Sequence, residues 1–161
     1  MLAQKHVVAG SKRVPIAYPN NLAWECVRCA TCCGDTGKRT RHVLILESEA
    51  QAIAARTGMC VEEFGYRLKD SEFYTFEIKK NNGKCLFLSG VSCSIYSERP
   101  LICRLYPFAL RQFESGTFVF QLPEHECRGI GRGKRLTKNY YFSLLQIAVE
   151  RLTSHCRQRG K

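Results

Sequence analysis

The chain of 161 residues is strongly basic, with 25 Lys or Arg against 14 Asp or Glu, and it contains ten cysteines. A hydrophobic fraction of 45% is enough for one ordinary domain with a buried core, which excludes a disordered tail. Residues 1–25 lack the apolar segment of a signal peptide, and no stretch approaches the roughly 20 apolar residues of a membrane span. We therefore expect a cytoplasmic protein without membrane contact, whose reduced thiols bind metal rather than form disulfides.

The first part of the chain ends in a dense group of thiols. Residues 1–23 show no clear periodicity and are predicted to form an extended N-terminal arm. Four cysteines then follow within eight residues, namely Cys26, Cys29, Cys32 and Cys33. Thiolate is the soft ligand that suits zinc and iron–sulfur centres. Because adjacent side chains tend to diverge, Cys32 and Cys33 predict two metal centres or one polynuclear centre.

The middle of the chain predicts short strands and helices. Residues 42–46 are typical of a buried strand, and Ser48 then caps a helix that Gly58 ends. A second short helix is predicted over residues 59–68. Two strands, residues 73–78 and 84–88, are joined by the turn signal Asn-Asn-Gly at residues 81–83.

The last part predicts a short helix, a hairpin and a long helix. Residues 97–100 (Ser-Glu-Arg-Pro) begin the short helix that carries Cys103, and residues 108–113 and 117–122 form the hairpin. The long helix runs from Thr137 to about His155. The predicted fold is therefore α+β, a small single domain with short hairpins and helices organised around one or more cysteine-ligated metal centres. Its regions are an arm (1–23), a cysteine-cluster region (24–133) and a C-terminal helix (134–161).

The sequence does not match two known cysteine spacings of iron–sulfur proteins. A bacterial ferredoxin run needs Cys-x2-Cys-x2-Cys-x3-Cys-Pro, and Thr36 and Gly37 occupy its last two positions. The radical-SAM spacing Cys-x3-Cys-x2-Cys also requires cysteine where Thr36 stands. Zinc is excluded by neither comparison. We favour an iron–sulfur centre over zinc, because closely spaced thiols and an adjacent pair suit a cluster whose irons face several directions.

The order of cysteines resembles one known family. The run Cys26-x2-Cys29-x2-Cys32-Cys33 is followed by Cys85-Leu86-Phe87-Leu88, Cys93-Ser94-Ile95-Tyr96-x2-Arg99-Pro100-x2-Cys103-Arg104-x2-Pro107 and Cys127-x-Gly129-Ile130-Gly131. Over residues 24–133 this is similar to the YkgJ-type cysteine-cluster family, described as a zinc- or iron-chelating domain with eight shared cysteines. The resemblance implies these metal ligands: Cys26, Cys29, Cys32, Cys33, Cys85, Cys93, Cys103 and Cys127.

Several residues beside the pattern have two interpretations. Arg99 and Arg104 flank two of the implied ligands; they are predicted to bind the cofactor by donating hydrogen bonds toward ligand sulfur, with a salt bridge to Glu98 as the alternative. Cys60 and Cys156 lie outside the pattern and are expected not to bind metal. His125 is expected on the surface rather than among the ligands.

The sequence leaves the function open among three classes. The first is a metal-centre protein that handles electrons or metal without its own turnover. The second, by resemblance only, is a part of a protein-lysine methylation system like the flagellin lysine methylases. The third is a zinc-stapled RNA- or protein-binding module. From Cys127 to Lys161 there are nine Lys or Arg and one acid, which predicts an acidic protein or RNA as partner. No catalytic triad or carboxylate pair stands out, so enzymatic activity stays undecided.

Overall fold

The computed structural model describes residues 2–9, 12–69, 71, 73–123 and 127–159, with the side chains left out at 7–9, 12 and 154–159. The chain divides into two compact units. The first contains Met1–Val27 and Leu105–Ile147, and the second contains Arg28–Arg104 and Ala148–Lys161. Both helices and short strands are present, so the predicted α+β class is confirmed.

Short strands and four helices alternate along the described chain. The strands are β1 Leu2–Ala9, β2 Lys12–Pro19, β3 Ala23–Trp24, β4 Leu44–Ile45, β5 Gly65–Arg67, β6 Phe76–Ile78, β7 Lys80–Asn81, β8 Lys84–Cys85, β9 Leu88–Ser89, β10 Ser92–Cys93, β11 Ala109–Gln112, β12 Phe118–Gln121 and β13 Ile130–Arg135. The helices are α1 Glu47–Thr57, α2 Val61–Phe64, α3 Leu101–Leu105 and α4 Lys138–Arg159, with a 3-10 turn at Thr31–Cys33. None of the described helices has both the length and the apolar character needed to cross a membrane.

The first unit is built on a four-stranded sheet. Its order is β1-β2-β12-β11, with β12 parallel to β2 and the other neighbours antiparallel. The sheet carries an aromatic core in which the buried Tyr141 ring stacks on Tyr18 at 4.6 Å. Phe108 and Phe120 each place their ring centroids 5.3 Å from Tyr141. Such ring pairs add about 0.5–1.5 kcal/mol each beyond the burial of their apolar area.

The second unit has a smaller sheet and a core of aliphatic residues and phenylalanines. Its three strands run in the order β4-β6-β5, all antiparallel. The core consists of nine buried residues, namely Val43, Ile45, Ala50, Ile53, Phe64, Phe76, Ile78, Phe87 and Ile95. Three half-buried cysteines, Cys85, Cys93 and Cys103, pack against this core. The second unit therefore places thiols directly on its hydrophobic core.

Several local turn and helix predictions are confirmed, with four corrections. One is that the predicted strand 73–78 contains β6, which pairs with β4 and β5 rather than with residues 84–88. Asn82 and Gly83 have positive φ values of 49° and 74° and join β7 to β8, as an Asn-Gly turn favours. Helix α1 is preceded by Leu46 as its cap, not by Ser48, because the Glu49 carboxylate accepts a hydrogen bond from the Leu46 N–H at 3.1 Å. Residues 59–68 contain only the short α2, since the following strand β5 pairs with β6. Residues 1–23, for which no periodicity was expected, contain the β1–β2 hairpin.

Candidate metal centre

The adjacent thiols Cys32 and Cys33 lie on the 3-10 turn that follows Ala30. Ala30 has a positive φ of 57°, and the Cys33 N–H donates to its carbonyl at 2.9 Å. This tight turn brings the two Sγ atoms to 3.7 Å from each other. The expectation that these neighbouring side chains diverge is therefore wrong. In a tetrahedral site with metal–sulfur bonds of about 2.3 Å, two ligand sulfurs lie ~3.8 Å apart, so the pair is spaced as two thiolates on one metal ion are.

The backbone leading into this turn adopts a conformation that ordinary residues avoid. Arg28 has a positive φ of 50°, like Ala30 at 57°. Non-glycine residues in the left-handed region cost free energy, and they concentrate at binding and active sites where the surrounding structure holds them. These two residues lie immediately before and after Cys29, which belongs to the second unit and is half-buried.

Three more thiols of the second unit come from separate elements. Cys85 ends β8, Cys93 ends β10 and Cys103 lies on α3. The charge on any one of these thiols affects the pKa of Cys33, which places them in one neighbourhood. Cys32 also acts on the pKa of Cys85, Cys93 and Cys103. The structure thus brings together five of the predicted site residues.

Burial keeps most of these thiols protonated when no metal is bound. Burial raises the pKa of Cys103 to about 12 and also raises the pKa of Cys85 and of Cys93. The hydrogen bond between the adjacent thiols raises the pKa of Cys32 and lowers that of Cys33. Because metal ligands must be deprotonated, a metal that binds here has to displace these protons.

Arg41 is a charged residue of this neighbourhood that the sequence analysis missed. Its guanidinium opposes the effect of burial by lowering the pKa of Cys32, Cys85 and Cys103. Arg41 Nε donates to the Cys32 carbonyl at 3.1 Å, and its backbone N–H donates to Asp35 Oδ1 at 2.7 Å. A positive charge beside thiolates balances their charge.

Arg39 also donates a hydrogen bond to the backbone of the 3-10 turn. Its Nη2 donates to the Thr31 carbonyl at 3.0 Å. Two arginines at alternating positions after the cysteine run were the sequence signal for this pair, since a run of thiolates needs nearby positive charge.

The two arginines that were predicted as cofactor-binding lie next to the thiols but donate to the backbone. Arg99 Nε bonds the Tyr96 carbonyl at 3.2 Å, and the Arg99 charge lowers the pKa of Cys93 against the larger effect of burial. Arg104 Nε bonds the Arg99 carbonyl at 2.9 Å. Glu98, their alternative partner, lies 3.8 Å from Arg56 Nε. Arg99 thus acts on Cys93 through its charge, while Arg104 stabilises the turn before α3 by a hydrogen bond to its backbone.

The remaining two predicted ligands, Cys26 and Cys127, belong to the first unit. Cys26 is exposed and Cys127 is half-buried. The indole Nε1 of Trp24 lies 3.3 Å from Cys127 Sγ and donates a hydrogen bond to it. Gly129 makes this contact possible, because a Cβ there would lie 2.1 Å from the Glu25 carbonyl oxygen and 3.2 Å from Trp24 Nε1. The glycine-rich stretch after Cys127 therefore acts as a turn that shapes the surroundings of this thiol.

Cys60, Cys156 and His125 are the residues that were expected not to bind metal. Cys60 is exposed, and its N–H at the start of α2 is capped by Glu63 Oε2 at 2.5 Å. His125 and the Cys156 side chain lie outside the described residues.

The donor set fits a thiophilic metal by its chemistry. Within residues 2–9, 12–69, 71, 73–123 and 127–159, no three Cys, His, Asp or Glu side chains already meet at one point as metal ligands do. Cys32, Cys33, Cys85, Cys93 and Cys103 share one neighbourhood next to a guanidinium, so metal binding requires their side chains to converge further. Soft sulfur donors select zinc, copper(I) or iron–sulfur centres over magnesium and calcium.

Comparison with known proteins agrees with this donor set. No solved structure matches the chain. The uncharacterized protein MJ0661 of Methanocaldococcus jannaschii is 28% identical over 141 residues, which cover 84% of this chain and 73% of that relative. The CxxCxxCC family model, described as "Putative zinc- or iron-chelating domain", matches residues 25–128, a range that contains all eight predicted ligands. The chain therefore belongs to the CxxCxxCC family.

Proposed function

We propose that this protein binds an iron–sulfur centre through its clustered cysteines and handles electrons or metal without a turnover of its own. The observation that carries the proposal is the clustering of five thiols. Cys32 and Cys33 place their sulfurs 3.7 Å apart, and Gly34 forms a β-bridge with Lys84, the residue before Cys85. Cys85, Cys93 and Cys103 pack against one hydrophobic core. The family description supports the coarser statement that the domain chelates zinc or iron.

The electrostatics of the neighbourhood support a bound cation. Burial is the main reason that the pKa of Cys85, Cys93 and Cys103 is raised, so ionising several of these thiols together is unfavourable in the metal-free protein. The guanidinium groups of Arg41 and Arg99 offset only part of several thiolate charges. A metal cation supplies the rest, and its binding is then coupled to proton release and to the folding of this unit.

The number and spacing of the thiols favour a polynuclear centre over a single zinc ion. A structural zinc ion takes four ligands, and five thiols already share this neighbourhood. In a [2Fe–2S] centre each iron takes two cysteines, whereas four cysteines share the four irons of a [4Fe–4S] centre. The 3.7 Å separation of the Cys32 and Cys33 sulfurs suits one tetrahedral metal that carries both cysteines, as each iron of a [2Fe–2S] centre does. When bound, such a centre supplies one-electron chemistry.

The metal is identified by anaerobic purification followed by elemental analysis, acid-labile sulfide determination and Mössbauer spectroscopy. We expect iron and sulfide in comparable amounts, with charge-transfer absorption in the visible range. Stoichiometric zinc with no iron and no sulfide under these conditions would contradict the iron–sulfur proposal and leave a zinc module.

The ligand set is tested with matched cysteine substitutions. We expect Cys29→Ser and Cys103→Ser to lower the metal content per chain, whereas Cys60→Ser retains it because Cys60 is exposed at the start of α2. All three replace sulfur by oxygen in the same way, so the comparison isolates position. Equal metal loss in all three would contradict the assignment.

A further inference from the structure

A strongly basic surface lies on β13 and the residues on either side of it. The basic ribbon, defined as residues 128–138, contains no Asp or Glu. Its five cations are all exposed, namely Arg128, Arg132, Lys134, Arg135 and Lys138. Among the described residues, none of these five forms an ion pair. Their charge is therefore available to a partner.

The backbone of the basic ribbon displays these side chains on an irregular strand. Ile130 lies opposite Trp24 and Arg135 lies opposite Ala23, so four residues of β13 bulge out between two neighbouring residues of β3. Gly131 and Gly133 have positive φ values of 78° and 76°, which permit the bulge.

The two glycines of the bulge have different surroundings. No atom lies within 4 Å of the position that a Cβ on Gly131 would take, so the backbone is open to a ligand there. Gly133 lies instead against the Glu25 side chain. Glu25 carries one negative charge, against the five positive charges of the ribbon.

The composition of the surface points to phosphates rather than to a protein. Protein interfaces use buried aromatic and apolar anchors, and charged residues are depleted at their centre. The apolar residues of the basic ribbon, Ile130 and Leu136, are half-buried, so the ribbon presents cations and glycine backbone. Arginine, lysine and backbone N–H groups are the donors that contact nucleic-acid phosphates.

We propose that the basic ribbon binds the sugar–phosphate backbone of nucleic acid, without reading base sequence. The proposal stands on the charge and exposure of the first unit and does not depend on which metal the cysteines hold. Because such binding releases counterions, its affinity falls steeply with salt concentration.

The test compares two charge-matched triple variants of the metal-loaded protein. One is Arg132→Gln/Lys134→Gln/Arg135→Gln. The control, Lys5→Gln/Arg13→Gln/Arg111→Gln, removes three exposed cations from other strands of the same unit. Both variants carry the same net charge, so any difference between them reports a local site rather than overall charge.

The readout is fluorescence anisotropy of a labelled mixed-sequence single-stranded RNA across a salt series. Each phosphate contact contributes about 0.7 to the slope of log affinity against log salt, so the ribbon variant should lose ~2 from this slope and on the order of 100-fold in affinity at 0.1 M salt. The control should lose far less. Unchanged far-ultraviolet dichroism and metal content show that the variants are folded, and Arg132→Gln alone should lower the slope by about 0.7 if the triple variant does not fold.

Three results would overturn the proposal. The first is no RNA binding by the unsubstituted protein. The second is an equal loss in both triple variants, which would assign binding to net charge alone. The third is displacement of the RNA by polyglutamate at equal charge concentration, which would indicate an acidic protein as partner.

Discussion

The two units of the chain have cores of different chemistry. The first unit packs aromatic rings around Tyr141, and its core is stabilised by apolar area and ring contacts. The second unit has ionisable groups at its core, with Cys85, Cys93 and Cys103 against the apolar residues and the buried carboxylate of Glu49. A core of apolar side chains depends little on pH or metal, whereas buried thiols respond to both. The comparison predicts that the second unit is more sensitive than the first to pH and to metal.

Metal removal is expected to produce the largest difference in stability between the two units. Structural zinc supplies about 10–16 kcal/mol in small peptides, and a whole domain is stable by only about 5–15 kcal/mol. We expect anaerobic chelation to lower the hydrogen-exchange protection of β6 in the second unit strongly, without abolishing it, and to leave that of β12 in the first unit largely intact. Amide exchange with mass spectrometry measures both strands in one sample. Unchanged protection of β6 would mean that the metal is not structural.

The next largest effect concerns the buried carboxylate of the second unit. Glu49 accepts hydrogen bonds from the Leu46 N–H at 3.1 Å and the Leu101 N–H at 2.7 Å, and it pairs with Arg151. Breaking such a buried pair by removing one partner costs about 3–5 kcal/mol. We expect Glu49→Gln to lower the free energy of unfolding by this amount in urea titrations. The control Glu62→Gln lies on the exposed face of α2 and should change it by less than about 0.5 kcal/mol, and equal effects would contradict the role of Glu49.

The pH dependence of the metal-free protein should also differ between the units. Burial raises the pKa of Cys103 to about 12 from its usual 9.0, so above pH 9 the unfolded chain releases a proton that the folded unit retains. Folding stability is therefore full below pH 9 and falls by about 1.4 kcal/mol per pH unit for each such thiol as the pH rises toward the folded value.

The first unit should respond only at higher pH. Its buried Tyr141 has a pKa raised, mainly by burial, from a usual value of 10.0, so its loss of stability begins above pH 10. Hydrogen exchange of β6 and β12 at pH 8 to 10.5, corrected for intrinsic rates, shows which unit loses stability at the lower pH. Cys103→Ala should reduce the pH dependence of β6 protection. An identical onset in both strands would contradict the assignment to buried thiols.

The smallest expected effect tests the thiol of the first unit. Trp24→Phe keeps an aromatic ring but removes the N–H that donates to Cys127 Sγ. Removing a hydrogen bond to a metal ligand lowers metal affinity by 10- to 100-fold, and we expect about tenfold here. Competition with a chromophoric chelator measures this. Gly129→Ala should act in the same direction, because its Cβ would lie 2.1 Å from the Glu25 carbonyl oxygen and so disturb the backbone next to Trp24; unchanged affinity in both variants would show that Cys127 is not a ligand.

The sequence correctly predicted elements that depend on neighbouring residues in the chain, such as turns and helix starts. Asn82 and Gly83 are suited to the positive φ of a two-residue hairpin turn, and this turn is where the sequence placed it, although the strand before it is Lys80–Asn81 rather than residues 73–78. Thr137 directly precedes α4, as its pattern predicts. The strand β5 was mistaken for helix because its cause is pairing with β6, a contact with residues about ten positions further along the chain.

The sequence by itself determined the ligand chemistry and the family, because eight cysteines in a characteristic order require no knowledge of contacts. Only the tertiary structure decided which thiols meet. Cys32 and Cys33 face the same side because of a 3-10 turn, and Cys85 and Cys103 join them from elements far along the chain. The two arginines after the cysteine run are visible in the sequence, but the effect of Arg41 on the thiols is not, because the effect of a charge on a thiol depends on distance and burial, and folding alone sets both.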